Sequence, residues 1–359
     1  MGNLKEFECP CCGGKIEFDS ASQQMQCPYC DSTFDMAAMQ DLEEDIQTQN
    51  DTSIEWADSA GSEWGEGEQQ GMSVYRCQSC GGEIVAEETL GASACPYCDN
   101  PIVMTGKFAG DLRPDVVIPF KLDKEAAKAA LSKHLKGKVL LPKAFKDENH
   151  IDEVKGVYVP FWLFDAKAQG RVRFKGQKVR RWEDARYEYK ETSYYSLVRE
   201  GRMAFEHVPV DGSSKMDDDL MESVEPYHYS DVVDFKTAYL SGYLADKYDV
   251  TAEQSEARAN ERITNSMVQS LKDTTDGFQN VTVDSKRISL ESGKAQYALY
   301  PVWLLNTTWN DQKFTFAMNG QTGKFVGNLP MDKGKFWTMA LSLGVGLSVV
   351  ATIVMMLIG

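Results

Sequence analysis

The longest continuous apolar stretch of the chain lies at its C-terminal end. From Phe336 to Ile358 no residue is charged. Twenty-three helical residues rise about 35 Å, enough to cross the hydrocarbon core of a bilayer. Lys333 and Lys335 precede the run and Trp337 stands at its start, which is typical of the cytoplasmic interface of a span. The pattern predicts a single transmembrane helix over 336–358. A buried core helix is the alternative, although such helices rarely lack a polar face.

The region 106–331 mixes helical and strand periodicity. Apolar residues at helical spacing predict a helix from Asp123 to Lys136, with Gly137 as its stop. Thr251 and Gln254 form a capping box, which predicts a second helix reaching about residue 271. Apolar and alternating runs predict strands at 157–164, 170–175, 281–290 and 297–305, and a hairpin at 314–326 turning through Asn319-Gly320. We therefore expect a mixed α+β domain over 106–331.

Two short segments of this domain resemble each other. Tyr158-Val-Pro-Phe-Trp-Leu163 is similar to Tyr300-Pro-Val-Trp-Leu304, and a polar, strand-like run follows each. Two related β-units would explain the similarity.

The N-terminal region contains an internal repeat built on cysteine. Two units of the form Cys-x2-Cys…Cys-x2-Cys follow each other, and each of the four cysteines of the second unit lies 68 residues after its equivalent in the first. The flanking residues shift with it, so that Gly13-Gly14 corresponds to Gly81-Gly82 and Pro28-Tyr29 to Pro96-Tyr97. The predicted metal ligands are Cys9, Cys12, Cys27 and Cys30 in the first unit, and Cys77, Cys80, Cys95 and Cys98 in the second.

This spacing predicts two structural zinc sites, in ribbons over 1–34 and 73–105. Each Cys-x-x-Cys turn directs two thiolates at one point, and two turns complete a tetrahedron around Zn²⁺. Because protein fills all four positions, no place is left for water or substrate. Iron in a rubredoxin-like site is an alternative, and a thioredoxin-like redox pair is a weaker one. Cys11 aligns with Ser79, so we do not expect it to be a ligand.

Charge is distributed unevenly along the chain. The net charge is -16, yet no Lys or Arg occurs between Lys15 and Arg76. Residues 35–72 are acidic and poor in apolar side chains, which predicts a flexible linker, with a short helix around 36–46. The run from Arg171 to Arg181 is basic. It could bind anions such as lipid headgroups, pair with the acidic linker, or form a solvated strand face.

The sequence carries no recognisable catalytic motif. The four histidines are scattered, and no Gly-Lys pair continues into a phosphate-binding Gly-Lys-Ser/Thr sequence. The first eight residues lack the basic and apolar segments of a signal peptide, so we expect the cysteines to face a reducing cytoplasm. We therefore expect a protein that is not an enzyme.

Together, the two cysteine units, the segment 157–165 and the apolar C-terminal run resemble a bacterial family. These are the membrane-anchored TFIIB-type zinc-ribbon proteins of Firmicutes associated with phage-shock-protein-A and SPFH-domain proteins. Members are often labelled primosomal helicases, a label that the missing phosphate loop contradicts. The resemblance implies a membrane adaptor that recruits soluble proteins of these two classes during envelope stress.

The alternative function is a membrane-tethered nucleic-acid-binding zinc ribbon. It is disfavoured because acidic residues outnumber basic ones around both ribbons, whereas nucleic-acid binding needs clustered positive charge. Small residues at Ser342, Gly344, Gly346 and Ser348 leave a homo-oligomer through the apolar helix open.

Overall fold

The protein is described here from a computed structural model, which covers residues 8–9, 11–36, 56–57, 60–87, 94–107, 112–142, 154–309 and 312–358. The fold is mixed α+β, as predicted, with a sheet-rich central region and an apolar helix at the C-terminal end. The chain divides into two compact units. Unit 1 contains Met1–Ser59, Leu163–Val210 and Glu256–Ala295; unit 2 contains Ala60–Trp162, Asp211–Ser255 and Gln296–Gly359.

The described strands vary widely in length. In chain order they are β1 (Glu17–Asp19), β2 (Gln24–Gln26), β3 (Thr33–Phe34), β4 (Trp56–Ala57), β5 (Met72–Cys77), β6 (Glu83–Glu87), β7 (Ile102–Lys107), β8 (Val116–Val117), β9 (Lys155–Glu183), β10 (Glu188–Asp211), β11 (Val233–Asp234), β12 (Leu244–Asp246), β13 (Gln279–Trp309), β14 (Gln312–Asn319) and β15 (Phe325–Gly327). The helices are α1 (Lys124–Leu135), α2 (Asp218–Val224), α3 (Ala252–Lys272) and α4 (Lys333–Ile358). Short 3₁₀ turns occupy Tyr229–Asp231 and Thr237–Leu240.

Unit 1 has its own core between a sheet and a helix. The strands β9 and β10 pair with each other, and α3 packs its apolar side chains on them. The core residues include Val172 and Phe174 from β9, Met267 from α3 and Ile288 from β13. The predicted capping box starts α3, because the Thr251 N–H donates to Gln254 Oε1 at 2.8 Å and the Gln254 N–H to Thr251 Oγ1 at 3.3 Å.

Unit 2 is organised around the inner parts of β9 and β13. On one side β9 pairs in parallel with β12, which pairs with β6, followed by β5 and β7. On the other side β13 pairs in parallel with β8 and antiparallel with β14. The predicted helix is confirmed as α1, capped by Asp123 at 2.8 Å from the Ala126 N–H. It packs Leu131 against a core that includes Trp303 and Phe316.

The strand predictions are confirmed, but the strands are longer than predicted. The segments 281–290 and 297–305 belong to one strand, β13, of 31 residues. The predicted hairpin is confirmed as β14 and β15. The two similar segments lie on β9 and β13, which are neighbours in the sheet, and there the Phe161 and Tyr300 rings stack at 4.8 Å.

The predicted single domain over 106–331 is divided between the two compact units, and two further observations cross the predicted boundaries. The second ribbon, predicted as a separate domain over 73–105, shares a sheet with the region 106–331 because β6 pairs with β12. Within the predicted linker, Trp56 lies on β4, pairs with β13 and contacts Phe164 edge to face at 4.8 Å. Residues 37–55 and 58–59, with most of the predicted short helix, lie outside the described residues.

Candidate metal centres

The first cysteine unit brings four sulfur atoms together in unit 1. Cys9 Sγ lies 3.6 Å from Cys30 Sγ, and Cys12 Sγ lies 3.5 Å from Cys27 Sγ. All four sulfurs lie within 4.8 Å of one another. A disulfide would need about 2 Å, whereas the edge of a tetrahedron of sulfurs around zinc is roughly 3.8 Å. The four thiols therefore fit a tetrahedral metal ion.

The second cysteine repeat, which lies in compact unit 2, shows the same arrangement of sulfur atoms. Cys77 Sγ lies 3.4 Å from Cys98 Sγ, and Cys80 Sγ lies 3.6 Å from Cys95 Sγ. These four sulfurs also lie within 4.8 Å of one another. The predicted grouping of the eight cysteines is thus the grouping that the structure shows. Cys11 is half-buried, and it is not part of the four-sulfur group.

The turns that hold the sulfurs are the same in both units. The Gly13 N–H donates to the Cys9 carbonyl at 2.8 Å, and the Gly81 N–H donates to the Cys77 carbonyl at 2.9 Å. The residue after each Cys-x-x-Cys pair has positive φ, which glycine and aspartate tolerate better than most residues. The φ values are 74° at Gly13, 56° at Asp31, 72° at Gly81 and 60° at Asp99. The backbone is therefore left-handed after each of the four Cys-x-x-Cys pairs.

Hydrogen bonding prepares one thiol of each group for ionisation. Burial opposes ionisation of Cys98, but hydrogen bonds from Asn100 lower the pKa of this thiol to about 6. At Cys30 hydrogen bonding with Ser32 likewise outweighs the effect of burial, and the pKa of this thiol is about 7. Burial raises the pKa of the Cys9 and Cys95 thiols. Since metal ligands are thiolates, a bound cation would supply the charge that stabilises all four.

The two centres differ in how they join the rest of the protein. The strands β1, β2 and β3 of the first ribbon form a sheet of their own, and Tyr29 is 75 % exposed. In the second ribbon the corresponding Tyr97 is 3 % exposed. Its ring packs on Gly82, where an added Cβ would lie 3.2 Å from it.

Two further side chains support the second centre. Lys155 Nζ on β9 lies 2.5 Å from Asp99 Oδ1 and 3.3 Å from the Cys95 carbonyl oxygen. Asn306 on β13 donates its side-chain N–H to the Pro96 carbonyl. Both residues are remote in sequence from the cysteines that they support. Sequence reasoning missed them because neither belongs to the repeat.

The apolar C-terminal segment forms α4. Lys333–Met356 is long and apolar enough to cross a membrane, and none of it is buried. Trp337 is 63 % exposed and Met355 is 78 % exposed. A contiguous exposed apolar surface of this kind is rare on soluble proteins and marks a membrane or protein contact.

Comparison with known proteins places these features in a family. The chain is 32 % identical over 329 residues to a Bacillus subtilis (strain 168) protein described as uncharacterized protein YdjG, covering 92 % of this chain and 91 % of the relative. The chain belongs to the YdjG family. No protein-family model matches the chain. No solved structure matches it.

Membership of the YdjG family covers nearly the whole length of the chain, so it includes the central α+β region as well as the smaller elements. The relative's description names no activity and no ligand. The chemistry of this chain therefore has to be inferred from its own residues, and the two four-cysteine groups are its most specific feature.

Proposed function

We propose that this protein is a non-enzymatic, membrane-anchored adaptor whose zinc ribbons recruit soluble proteins to the cytoplasmic face of the cell membrane. The observation that carries the proposal is the combination of two four-cysteine groups with one exposed apolar helix. Protein side chains fill every ligand position of each group, so a bound metal would have no open position for catalysis.

The proposed metal is Zn²⁺ at both sites, with a structural role. Four thiolates at these separations suit Zn²⁺, which prefers tetrahedral sulfur ligation and has no redox chemistry. The first ribbon is small and its buried cluster contains few apolar side chains, so metal ligation would supply much of its stability. Iron would bind with similar geometry, and metal analysis of the purified protein distinguishes the two.

The proposed membrane anchor is α4, with the bulk of the chain on the cytoplasmic side. Its 26 residues correspond to about 39 Å of helix. Lys333 and Lys335 stand at its first turn, as the positive-inside rule requires of a cytoplasmic end. Phe336 and Trp337 follow at the depth where aromatic side chains prefer to lie.

The first ribbon is the better candidate for the docking surface. Its sheet contacts no other described strand by pairing, and it displays Phe18 at 51 % and Tyr29 at 75 % exposure. Exposed aromatic side chains on a rigid support are typical of interaction sites. The partners implied by the family resemblance are soluble proteins of the phage-shock-protein-A or SPFH-domain class.

A pull-down from detergent-solubilised membranes tests the adaptor. The native chain is compared with Phe18→Ser/Tyr29→Ser, which alters the displayed surface and leaves the ligands in place. Met104→Ser is the matched control, because Met104 is a 58 % exposed apolar residue near the second centre. We expect soluble proteins to co-purify with the native chain and with Met104→Ser, and to be lost with the double variant.

Two results would count against the adaptor. If the double variant, shown by metal analysis to retain both ions, captures the same proteins, the first ribbon is not the docking surface. If nuclease treatment removes everything captured, the nucleic-acid-binding alternative replaces the adaptor.

A further inference from the structure

The predicted basic run splits into two parts in the structure. Its first part is used within unit 1: Arg173 is 4 % exposed, Arg171 Nε lies 3.1 Å from Glu200 Oε1, and Lys175 Nζ lies 2.8 Å from Asp284 Oδ1. From Lys178 onward the cations are exposed. Of the basic run, only the outer part from Lys178 to Arg181 is therefore exposed enough to bind an anion.

The exposed cations alternate with aromatic rings. We call this surface the aromatic–cation face and define it by Lys178, Arg180, Trp182, Tyr187, Tyr189 and Tyr195. The Trp182 and Tyr189 rings stack at 5.5 Å with 10° between their planes, and Tyr187 meets Tyr189 edge to face at 6.3 Å. The Arg180 guanidinium lies 5.3 Å from the Trp182 ring, and Lys178 Nζ lies 5.3 Å from the Tyr195 ring.

The face is the outward continuation of a buried surface. Along β9, alternate side chains lie on one side of the sheet, so Val172 and Phe174 share a side with Lys178 and Arg180. The helix α3 covers Val172 and Phe174 in the core of unit 1 and ends at Lys272. Beyond it, Trp182 is 44 % exposed and Tyr187 is 64 % exposed. A sheet that is covered at its base thus displays large aromatic rings farther out.

One acidic residue of the turn, Asp184, has a structural role. Asp184 Oδ1 accepts the backbone N–H groups of Arg186 and Tyr187 at 2.8 Å, and its Oδ2 accepts the Tyr189 hydroxyl at 2.9 Å. These hydrogen bonds lower the pKa of Asp184, with the Arg186 N–H contributing most. The carboxylate therefore fixes the turn and the Tyr189 ring.

We propose that the aromatic–cation face contacts the headgroup region of an anionic lipid bilayer. Trp and Tyr rings carry an apolar body and a polar tip, which suits the interface between water and hydrocarbon. Lys and Arg beside them attract the phosphates of anionic lipids. Nucleic acid is a poorer fit, because only two cations lie among the rings and counterion release requires more.

This inference rests on the proposed membrane anchoring through α4. An anchored chain needs only weak affinity between the face and the lipid, because tethering raises the effective concentration of the surface. The contact would hold the hairpin of β9 and β10 against the membrane, which goes beyond the proposed adaptor role.

Fluorescence quenching in proteoliposomes tests the contact. The full chain is reconstituted in phosphatidylcholine vesicles with or without phosphatidylglycerol, and a nitroxide attached to lipid headgroups serves as the quencher. Subtracting the fluorescence of Trp182→Phe from that of the native chain gives the signal of the aromatic–cation face, and subtracting that of Trp337→Phe gives the signal of α4. We expect Trp182 to be quenched when phosphatidylglycerol is present, and less so in high salt.

A charge reversal provides a matched pair of variants. Arg180→Glu changes the aromatic–cation face, whereas Arg181→Glu changes the neighbouring exposed side chain on the opposite side of β9. We expect Arg180→Glu, which removes one positive charge and adds a negative one, to weaken the phosphatidylglycerol-dependent quenching at least about fivefold. Arg181→Glu should leave it near the native level, and both variants should keep the native circular dichroism spectrum.

The outcomes separate this inference from the proposed anchoring. Quenched Trp337 with unquenched Trp182 overturns the lipid contact and leaves the anchor standing. Unquenched Trp337 overturns the anchor itself, and the lipid contact with it. Equal effects of the two reversals also overturn the contact. If the detergent-solubilised chain binds a single-stranded oligonucleotide, and Arg180→Glu but not Arg181→Glu abolishes this binding, the face binds nucleic acid instead.

Discussion

Tyr29 and Tyr97 occupy equivalent positions in the two cysteine units, and we expect opposite consequences when each is truncated to alanine. Tyr97 is 3 % exposed in unit 2, whereas Tyr29 is 75 % exposed. Removing a buried aromatic side chain costs about 3–5 kcal/mol, because contacts are lost and a cavity remains. Removing an exposed one changes the free energy of unfolding by about 0.5 kcal/mol or less. Tyr97→Ala should therefore destabilise unit 2, and Tyr29→Ala should not.

A third variant separates the ring from its hydroxyl. The Tyr97 hydroxyl is buried and makes no hydrogen bond of normal geometry among the described residues, although Asp246 and Ser213 lie near it. Burial, reinforced by the nearby Asp246, raises its pKa. Tyr97→Phe keeps the ring and removes this poorly satisfied group, so we expect a change within about 1 kcal/mol of the native stability.

Hydrogen exchange of the detergent-solubilised chain, with mass spectrometry of its peptides, measures these effects where they occur. Loss of protection should be confined to Tyr97→Ala and should appear in β6 and β12, which pair beside the second centre. Metal content is measured in parallel to show that both sites remain loaded. The reasoning is refuted if Tyr29→Ala is as destabilising as Tyr97→Ala, or if Tyr97→Ala costs less than about 1 kcal/mol.

Three further predictions follow from the same contacts. Burial raises the pKa of Asp246 to about 7, above the ordinary value of 3.8. Between these two pH values the native state holds a proton that the unfolded state has lost. The free energy of unfolding should therefore fall as pH rises from about 4 to 7, by a few kcal/mol at most. Burial also raises the pKa of Asp211 to about 7, so Asp246→Asn should reduce the slope of that melting-temperature profile without abolishing it, and an unchanged profile would contradict this. Metal analysis should find two metal ions per native chain. It should find one ion per chain in the variant Cys12→Ser/Cys30→Ser and one in the variant Cys80→Ser/Cys98→Ser. If both variants still bind two ions, the two four-cysteine groups are not the metal sites. Thr251→Ala removes the cap of α3 and should cost about 1 kcal/mol in urea unfolding, whereas Thr282→Ala, at an exposed position of β13, is a control that should cost much less.

Much of the local structure could be predicted because it depends on residues that are close in sequence. Asp123 and Thr251 cap their helices through side chains three residues from their backbone partners. The Cys-x-x-Cys turns close through hydrogen bonds within six residues, such as that from the Cys77 N–H to the Gly82 carbonyl. Strand ends were less predictable. The break predicted between 290 and 297 is absent because a strand continues wherever a neighbour supplies hydrogen bonds, and β4 pairs with β13 at Gly293.

The repeat of 68 residues determined by itself that both cysteine units form the same turns and the same four-sulfur groups. It could not determine that Tyr97 is buried and Tyr29 exposed, since the two segments read Cys-Pro-Tyr-Cys alike. The difference in burial comes from tertiary contacts. Lys155, Asn306 and β12 are distant in sequence from the second ribbon and contact it in the folded chain. Turn geometry and thiol spacing follow from covalent neighbours, whereas burial depends on which remote surfaces come together. Only the tertiary structure determines that the second ribbon packs into the core of unit 2 while the tyrosine of the first ribbon stays exposed.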